Sequence, residues 1–345
     1  MVSAPRDEIW QQVDQLVQRA PSLRALRAHG MHLIAARAWR AAGRPVPDEL
    51  HEDELDCAML AMAAPLLLDR ARSAYDGRLV LMKGPEAAAR YPDPSVRRFR
   101  DLDLLVDRPQ DAQRALVAAG FVELGDSADY EGRQHLCPLA WPGLPLLVEL
   151  HREPNRPPWL AARSVEELMA LTAPSAAGVD GVLAPVPEAH ALLLSGHAWA
   201  HHPLGRLIDL IDVAAVLSEG DREAAGELAR AWGWEGMWRV TLGVIDGLLA
   251  DERRPLSLAT WARHLAPIRD RSVLENHLSR VAAPACALPL RDVPQAIGAS
   301  FLRTARRRGN ERWIDKLHRS RLAVAHAFMD TSKHEQTLTT ETRRT

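Results

Sequence analysis

The residues whose types and spacing could do chemistry together are Lys83, Gly84, Asp101, Asp103, Glu149 and His151, with Arg97, Arg98 and Arg100 between them. Asp101 and Asp103 stand two apart in the run DLDLLV. On a strand that spacing projects both carboxylates from one face, where like charges are costly unless a cation such as Mg²⁺ holds them. Lys83-Gly84-Pro85 reads as the end of a strand, a tight turn and the start of a helix, a place where free N–H groups and a lysine can receive a phosphate. Glu149 lies in LPLLVELHR among leucines and a valine, where an unpartnered acid is expensive to bury, and His151 falls on its face. Together they spell a phosphate-and-metal site. Taken singly they read otherwise: a solvated lysine at a strand end, an exposed strand start, and an edge ion pair.

These residues need strands beneath them. Leu79 to Met82 is a short apolar run bounded by Gly77 and Gly84, which predicts a buried strand, and a helix is expected from Pro85 to Tyr91 before Pro92 and Pro94 stop it. Asp101 to Val106 predicts a second strand, Pro109 to Ala119 a helix, and Phe121 to Leu124 a short strand. Pro142-Gly143 then reads as a turn between antiparallel strands, the second carrying Glu149. If it pairs beside the Asp101 strand, Glu149 joins the two aspartates. Upstream, 8–19, 23–42 and 51–75 have helical spacing, with a kink or break expected at Pro65. Beyond Pro154 to Pro158 the chain reads as helical throughout, including 187–202, 204–217 and 222–249. This gives an α+β protein with a helical region at 1–76, a catalytic core at 77–154, a helical domain at 155–329 and a disordered polar tail at 330–345.

In that helical domain, HAWAHHPLGRLIDLIDVAAVL carries His197, His201, His202, Arg206, Asp209 and Asp212. His197 and His201 share a helix face at ligand-like spacing, but the segment lacks the glutamate of HExxH. Substrate contact, or a polar network tying the helices to the sheet, is the better reading. The segment 303–321, with Arg306, Arg307 and Arg308, is basic and reads as a solvated helix face.

The formal net charge of −2 gives no reason to expect a nucleic-acid or membrane partner. Cys57, Cys137 and Cys286 are isolated and fit a reducing cytoplasm. The start lacks the continuous apolar core of a signal peptide, and Met59 to Leu68 is too short to span a bilayer. Arginine has displaced lysine almost everywhere, with only Lys83, Lys316 and Lys333 left. That makes Lys83 conspicuous.

KGPEAAARYPDPSVRRFRDLDLLV, the later VELHR and the His-rich helix ending RLIDLIDVAAVL together resemble the uncharacterised bacterial nucleotidyltransferase family of the DNA-polymerase-β-like superfamily, over roughly 55–217. The resemblance implies a minimal nucleotidyltransferase fold, a small mixed sheet flanked by helices with a helical domain attached. It implies Asp101, Asp103 and Glu149 as catalytic carboxylates and ligands for two Mg²⁺ ions, with Lys83 and Gly84 at the phosphate-binding turn. Pro85 stands where members commonly place serine, so Lys83, Arg97 or Arg98 is expected to take over the triphosphate contact, with Arg100 adding charge and His151 a subsidiary base. The partners are a nucleoside triphosphate, ATP by preference, and a small-molecule or peptide acceptor. Phosphoryl transfer at the same metal site and a non-catalytic binding protein of the same fold are the alternatives.

Overall fold

The computed structural model describes residues 6–250, 255–305 and 313–333. Four helices come first, α1 (Arg6–Val17), α2 (Leu23–Ala28), α3 (His32–Ala41) and α4 (His51–Ala74). The single helix expected over 23–42 is two. Gly30 takes φ +71°, and Met31 N–H bonds back to Leu26 O at 2.8 Å, a left-handed helix stop that redirects the chain. Conversely α4 runs unbroken through Pro65, which lies on its exposed side, where water can bond the carbonyl that proline leaves free.

The middle of the chain builds the sheet: β1 (Leu79–Leu81), α5 (Pro85–Ala88), β2 (Asp101–Val106), α6 (Pro109–Ala118), β3 (Val122–Glu123), β4 (Leu139–Ala140), β5 (Leu147–His151), α7 (Val165–Ala170), β6 (Thr172–Pro174) and β7 (Val182–Pro185). The strand order is β3-β4-β5-β2-β1-β7-β6. β1 runs antiparallel to β2 but parallel to β7, and β2 runs parallel to β5, so the sheet is mixed. The protein is α+β, as its sequence pattern predicted.

Two expectations are corrected. The stretch beyond 158 is not helical throughout, because β6 and β7 form a hairpin that extends the sheet on the far side of β1. Each spans three or four residues, too few for periodicity to separate strand from loop. The helix after Pro85 closes after one turn, because the bonds from Arg90 and Tyr91 tighten to i−3 carbonyls.

Helices then dominate: α8 (Pro187–His201), α9 (Leu207–Leu217), α10 (Arg222–Ala231), α11 (Glu235–Leu249), α12 (Leu256–Thr260), α13 (Val273–Ala287), α14 (Val293–Ala305) and α15 (Trp313–Ala325). The pattern over 222–249 divides at Trp232 to Trp234, whose indoles are buried. Residues 330–333, expected to begin a disordered tail, are docked. Asp330 accepts from Arg24 at 3.2 Å, and Ser332 N–H bonds Asp270 at 2.9 Å. Residues 334–345, and Arg306 to Arg308, lie outside the described residues.

The sheet separates two apolar cores. Leu79, Leu81, Leu102, Leu104, Val106, Val148 and Leu150 face one way and pack with Leu67 and Leu68 of α4 and Leu116 of α6. On the other face Val80, Met82 and Leu105 join α8, α9 and the N-terminal helices in the larger core. Residue alternation therefore leaves Asp101, Asp103, Glu149 and His151 on that second face. No helix among the described residues is long and apolar enough to cross a membrane.

Candidate functional site

Parallel pairing of β2 with β5 sets Asp103 opposite Glu149 and Asp101 opposite Leu147. Asp103 is 2 % exposed. Its Oδ1 accepts a hydrogen bond from His151 Nε2 at 2.8 Å, and Lys83 Nζ lies 3.1 Å from Oδ2. That second contact is an ion pair off the angle of a hydrogen bond, so the buried Oδ2 has no hydrogen-bond partner. Burial pushes the Asp103 carboxyl up, but Lys83 and His151 outweigh it and hold it well below the usual carboxylate range. Burial pulls His151 down, yet its bonds to Asp103 and Glu149 win and raise it to about 9.

Asp101 shares the same strand face and stays partly open to solvent. Its pKa is raised, first by burial and then by Asp103, against the opposing charge of Lys83. The strand thus carries one ionised aspartate, held by cations, beside another in a harsher environment.

Lys83 extends from the turn after β1. Gly84 takes φ +64° and ψ −120°, a conformation strained for any other residue, and a Cβ there would stand 3.2 Å from Asp101 O. Gly84 therefore lets the turn lie against the start of β2. Above, Lys83 Nζ reaches His197 Nε2 of α8 at 3.0 Å. Burial first, then Lys83, lowers His197 well below the ordinary imidazole value, so it is neutral and accepts from the lysine. Asp103, Lys83 and His197 form a chain from sheet to helix. The one-turn α5 offers little macrodipole, and its Glu86 is buried on Arg90, Ser175 and Ala176, so the phosphate-binding power at this turn rests on Lys83.

The three arginines of the connector diverge. Arg97 is buried on Asp212 of α9, with Nη2 to Oδ2 at 2.5 Å and Nε to Oδ1 at 3.2 Å, and Tyr91 Oη donates to the same carboxylate at 2.6 Å. Arg98 turns towards α4, where it reaches Asp53 at 3.4 Å and Asp56 at 3.7 Å. Arg100 is exposed on the rim beside Asp101. All three, with Lys83, Asp101, Asp103, Glu149 and His197, line one cavity of about 980 Å³. His151 is fully buried and does not line the cavity, which it meets only through its bond to Asp103.

The donor set suits a hard divalent cation. Ligand atoms of Asp103, Glu149 and His151 lie within 4.8 Å of one another, and the buried Oδ2 of Asp103 accepts no hydrogen bond, the Lys83 ammonium at 3.1 Å being its ion-pair partner. Asp101 lies outside this compact trio while lining the same cavity.

Sequence reasoning missed Arg133, Gln134, His135, Asn155 and Arg156, which also line the cavity. They come from loops without periodicity, although His135 bridges to His151 across the sheet edge. A polar network joining the His-rich segment to the sheet was one of two readings open for it. The geometry contains such a network, through His197 on Lys83 and Asp212 on Arg97.

A family model described as an uncharacterised nucleotidyltransferase matches residues 17–250, which is more than half of the chain. Comparison with curated proteins and with solved structures gives no match. The chain belongs to that nucleotidyltransferase family.

Proposed function

We propose that this member of the family transfers a nucleoside monophosphate from a nucleoside triphosphate, ATP being the donor we favour, to an acceptor hydroxyl with release of pyrophosphate. The observation that carries the reading is the buried, hydrogen-bond-deficient Asp103 Oδ2 beside Glu149 in a cavity rich in guanidinium groups. Asp103 and Glu149 would hold a divalent cation, Mg²⁺ in this chemistry, with Asp101 on the same strand face completing a pair of such sites. When bound, the cation neutralises phosphate charge and favours in-line displacement.

The chain's own residues do the rest. His151 donates to Asp103 Oδ1 and so fixes which oxygen faces the cavity. Lys83 supplies a point charge for a phosphate oxygen, and Arg100 on the rim adds a fork for the triphosphate. Arg97 acts as a positioning residue, because its guanidinium already joins the connector to α9 through Asp212. Glu149 is the proposed acceptor of the hydroxyl proton. As that proton leaves, the acceptor oxygen bonds the α-phosphorus, the bridge to the β-phosphate breaks, and pyrophosphate departs. A small molecule or a peptide serves as acceptor, and the nucleotide supply places the reaction in the cytoplasm.

The test uses ATP labelled at the α- or the γ-phosphate, Mg²⁺ and a panel of hydroxyl compounds and peptides. Label from the α-position on an acceptor, lost with chelator, is the expected result. Transfer of the γ-label instead would reassign the protein to phosphoryl transfer, and binding of ATP without transfer to any acceptor would favour a binding role.

A further inference from the structure

The cavity has a second charged pole that the reaction proposed above does not use. Its wall is built from α2, the α2–α3 turn, the start of α3, the connector before β2 and the first turn of α9, and it presents Arg27, Gly30, His32, Arg98 and Arg206. Arg206 immediately precedes α9 and packs on Gly30, where a Cβ would stand 2.9 Å from its guanidinium. The glycine keeps that place open for Arg206. Among the described residues Arg206 has no ion pair, whereas Arg27 and Arg98 both reach Asp53, at 2.8 Å and 3.4 Å. Asp209 is on the same wall and is acted on by Arg206, but it forms no ion pair with it. Arg27 also reaches Glu49 at 3.5 Å and Arg98 reaches Asp56 at 3.7 Å, so of the three guanidinium groups it is Arg206 that has no carboxylate partner among the described residues.

His32 is the second, independent observation. It is 5 % exposed, it lines the cavity, and neither of its ring nitrogens has a hydrogen-bond partner. Its closest acid is Asp53, with 3.9 Å between Nε2 and Oδ2. Burial, followed by Arg27, Arg98 and Arg206 acting against Asp53, lowers it to about 4, so at neutral pH it is an uncharged ring with one N–H to donate. A buried donor left unsatisfied is destabilising, and a ligand oxygen would satisfy it.

The two poles are built from different residues, and Asp209 between them feels both Arg206 and Lys83. The charges that act most on His32 are Asp53, Arg27, Arg98 and Arg206, while those on His197 are Lys83, Asp103, His201 and His151. No group belongs to both sets.

We propose that Arg206, Arg98, Arg27 and His32 form an oxyanion subsite, separate from the carboxylate cluster, for a phosphate or carboxylate group on a ligand whose reacting end lies at Asp103 and Glu149. Only the placing of that reacting end rests on the nucleotidyl-transfer reading. Two ligands can present such a group. One is the donor nucleotide through its terminal phosphate, and the other is an acceptor that carries an anion as well as its hydroxyl.

The experiment is calorimetric titration of the full chain with inorganic pyrophosphate in the presence of chelator, so that no divalent cation recruits the anion to the carboxylates. Wild type is expected to bind, Arg206→Gln to bind about tenfold more weakly or worse, and the exposed charge control Arg230→Gln, outside this cavity, to match wild type. Binding unchanged in Arg206→Gln, or none in wild type, overturns the subsite. His32→Leu, which removes both ring nitrogens, provides a second variant should thermal melting show Arg206→Gln misfolded, and it too must weaken binding. Because chelator removes any divalent cation, this binding does not depend on nucleotidyl transfer, which keeps a failure of the reaction separable from a failure of the subsite. Repeating the titration with Mg²⁺ and a saturating non-hydrolysable ATP analogue assigns the source. Loss of the pyrophosphate signal gives the pole to the donor's phosphates, and binding that persists and still depends on Arg206 gives it to the acceptor.

Discussion

The two ends of α8 place the same kind of residue over the same face of the sheet to different effect. His190 and His197 are seven apart, two helical turns, and so lie on one side of the helix. His190 is fully buried and donates from Nε2 to Met82 O at 2.8 Å, over the half of the sheet where Val80 and Met82 belong to the apolar core. His197 meets Lys83 over the half that carries Asp103, Glu149 and His151. The strand below decides the role. A backbone carbonyl and aliphatic neighbours make a structural histidine, and a lysine leaning on a carboxylate makes one that opens onto a cavity.

The sharpest way to break this comparison is to remove the carboxylate that defines the open half. Asp103→Asn should lower nucleotide turnover about a thousandfold, the several kcal/mol that charge stabilisation at such a site contributes. Its thermal melt should stay cooperative. Turnover within a few-fold of wild type would remove Asp103 from the centre of the site.

The sealed half should respond in the opposite manner. His190→Ala leaves Met82 O without its side-chain donor and opens a cavity in a packed core, for a cost of about 3 kcal/mol. Urea denaturation would register it, while turnover per folded molecule should be unchanged. A large loss of turnover at full folding would mean that the two halves are not separate.

His197→Ala tests the open end with a smaller effect. Lys83 would lose its upper contact but keep Asp103, so the fold should hold and kcat/KM should fall about tenfold, chiefly through KM as the lysine's position loosens. An unchanged KM with a collapsed melting temperature would make His197 a structural residue like His190.

How much of this was legible in the sequence follows from the same contrast. Asp101, Asp103 and Glu149 could be read because strand alternation is a local rule and buried acids among leucines are rare. Their meeting in one cavity needed only the pairing of two neighbouring strands. The bond from Arg97 to Asp212 spans 115 residues, and no local pattern announces it, so Arg97 reads in sequence as a free phosphate ligand when its charge is already engaged. β7 was hidden for a related reason. Val182 to Pro185 is a strand because β1 and β6 pair with it on either side. The distinction between His190 and His197 was invisible as well, since it lies in what each ring meets across the sheet.

The finest test of the sealed half is pH. Burial, against the smaller opposing effects of Glu86 and the Met82 bond, lowers His190 to about 4, compared with 6.5 for an exposed histidine. Above pH 6.5 both folded and unfolded chains hold it neutral, and its full stabilising effect is present. As pH falls from 6.5 towards 4 the unfolded chain takes up a proton that the folded chain refuses, so stability is lost across that window. At pH 5.5 the loss from this group is about 1 kcal/mol. His32 and His202, also lowered to about 4, decline over the same range, so the wild-type profile alone does not isolate His190. His190→Gln does, because an amide N–H can still reach Met82 O but does not titrate. Between pH 7 and 5.5 the variant should lose about 1 kcal/mol less than wild type in urea. Parallel losses would mean that His190 takes up its proton in the folded state, and the sealed half would then be as open to water as the half that carries Asp103.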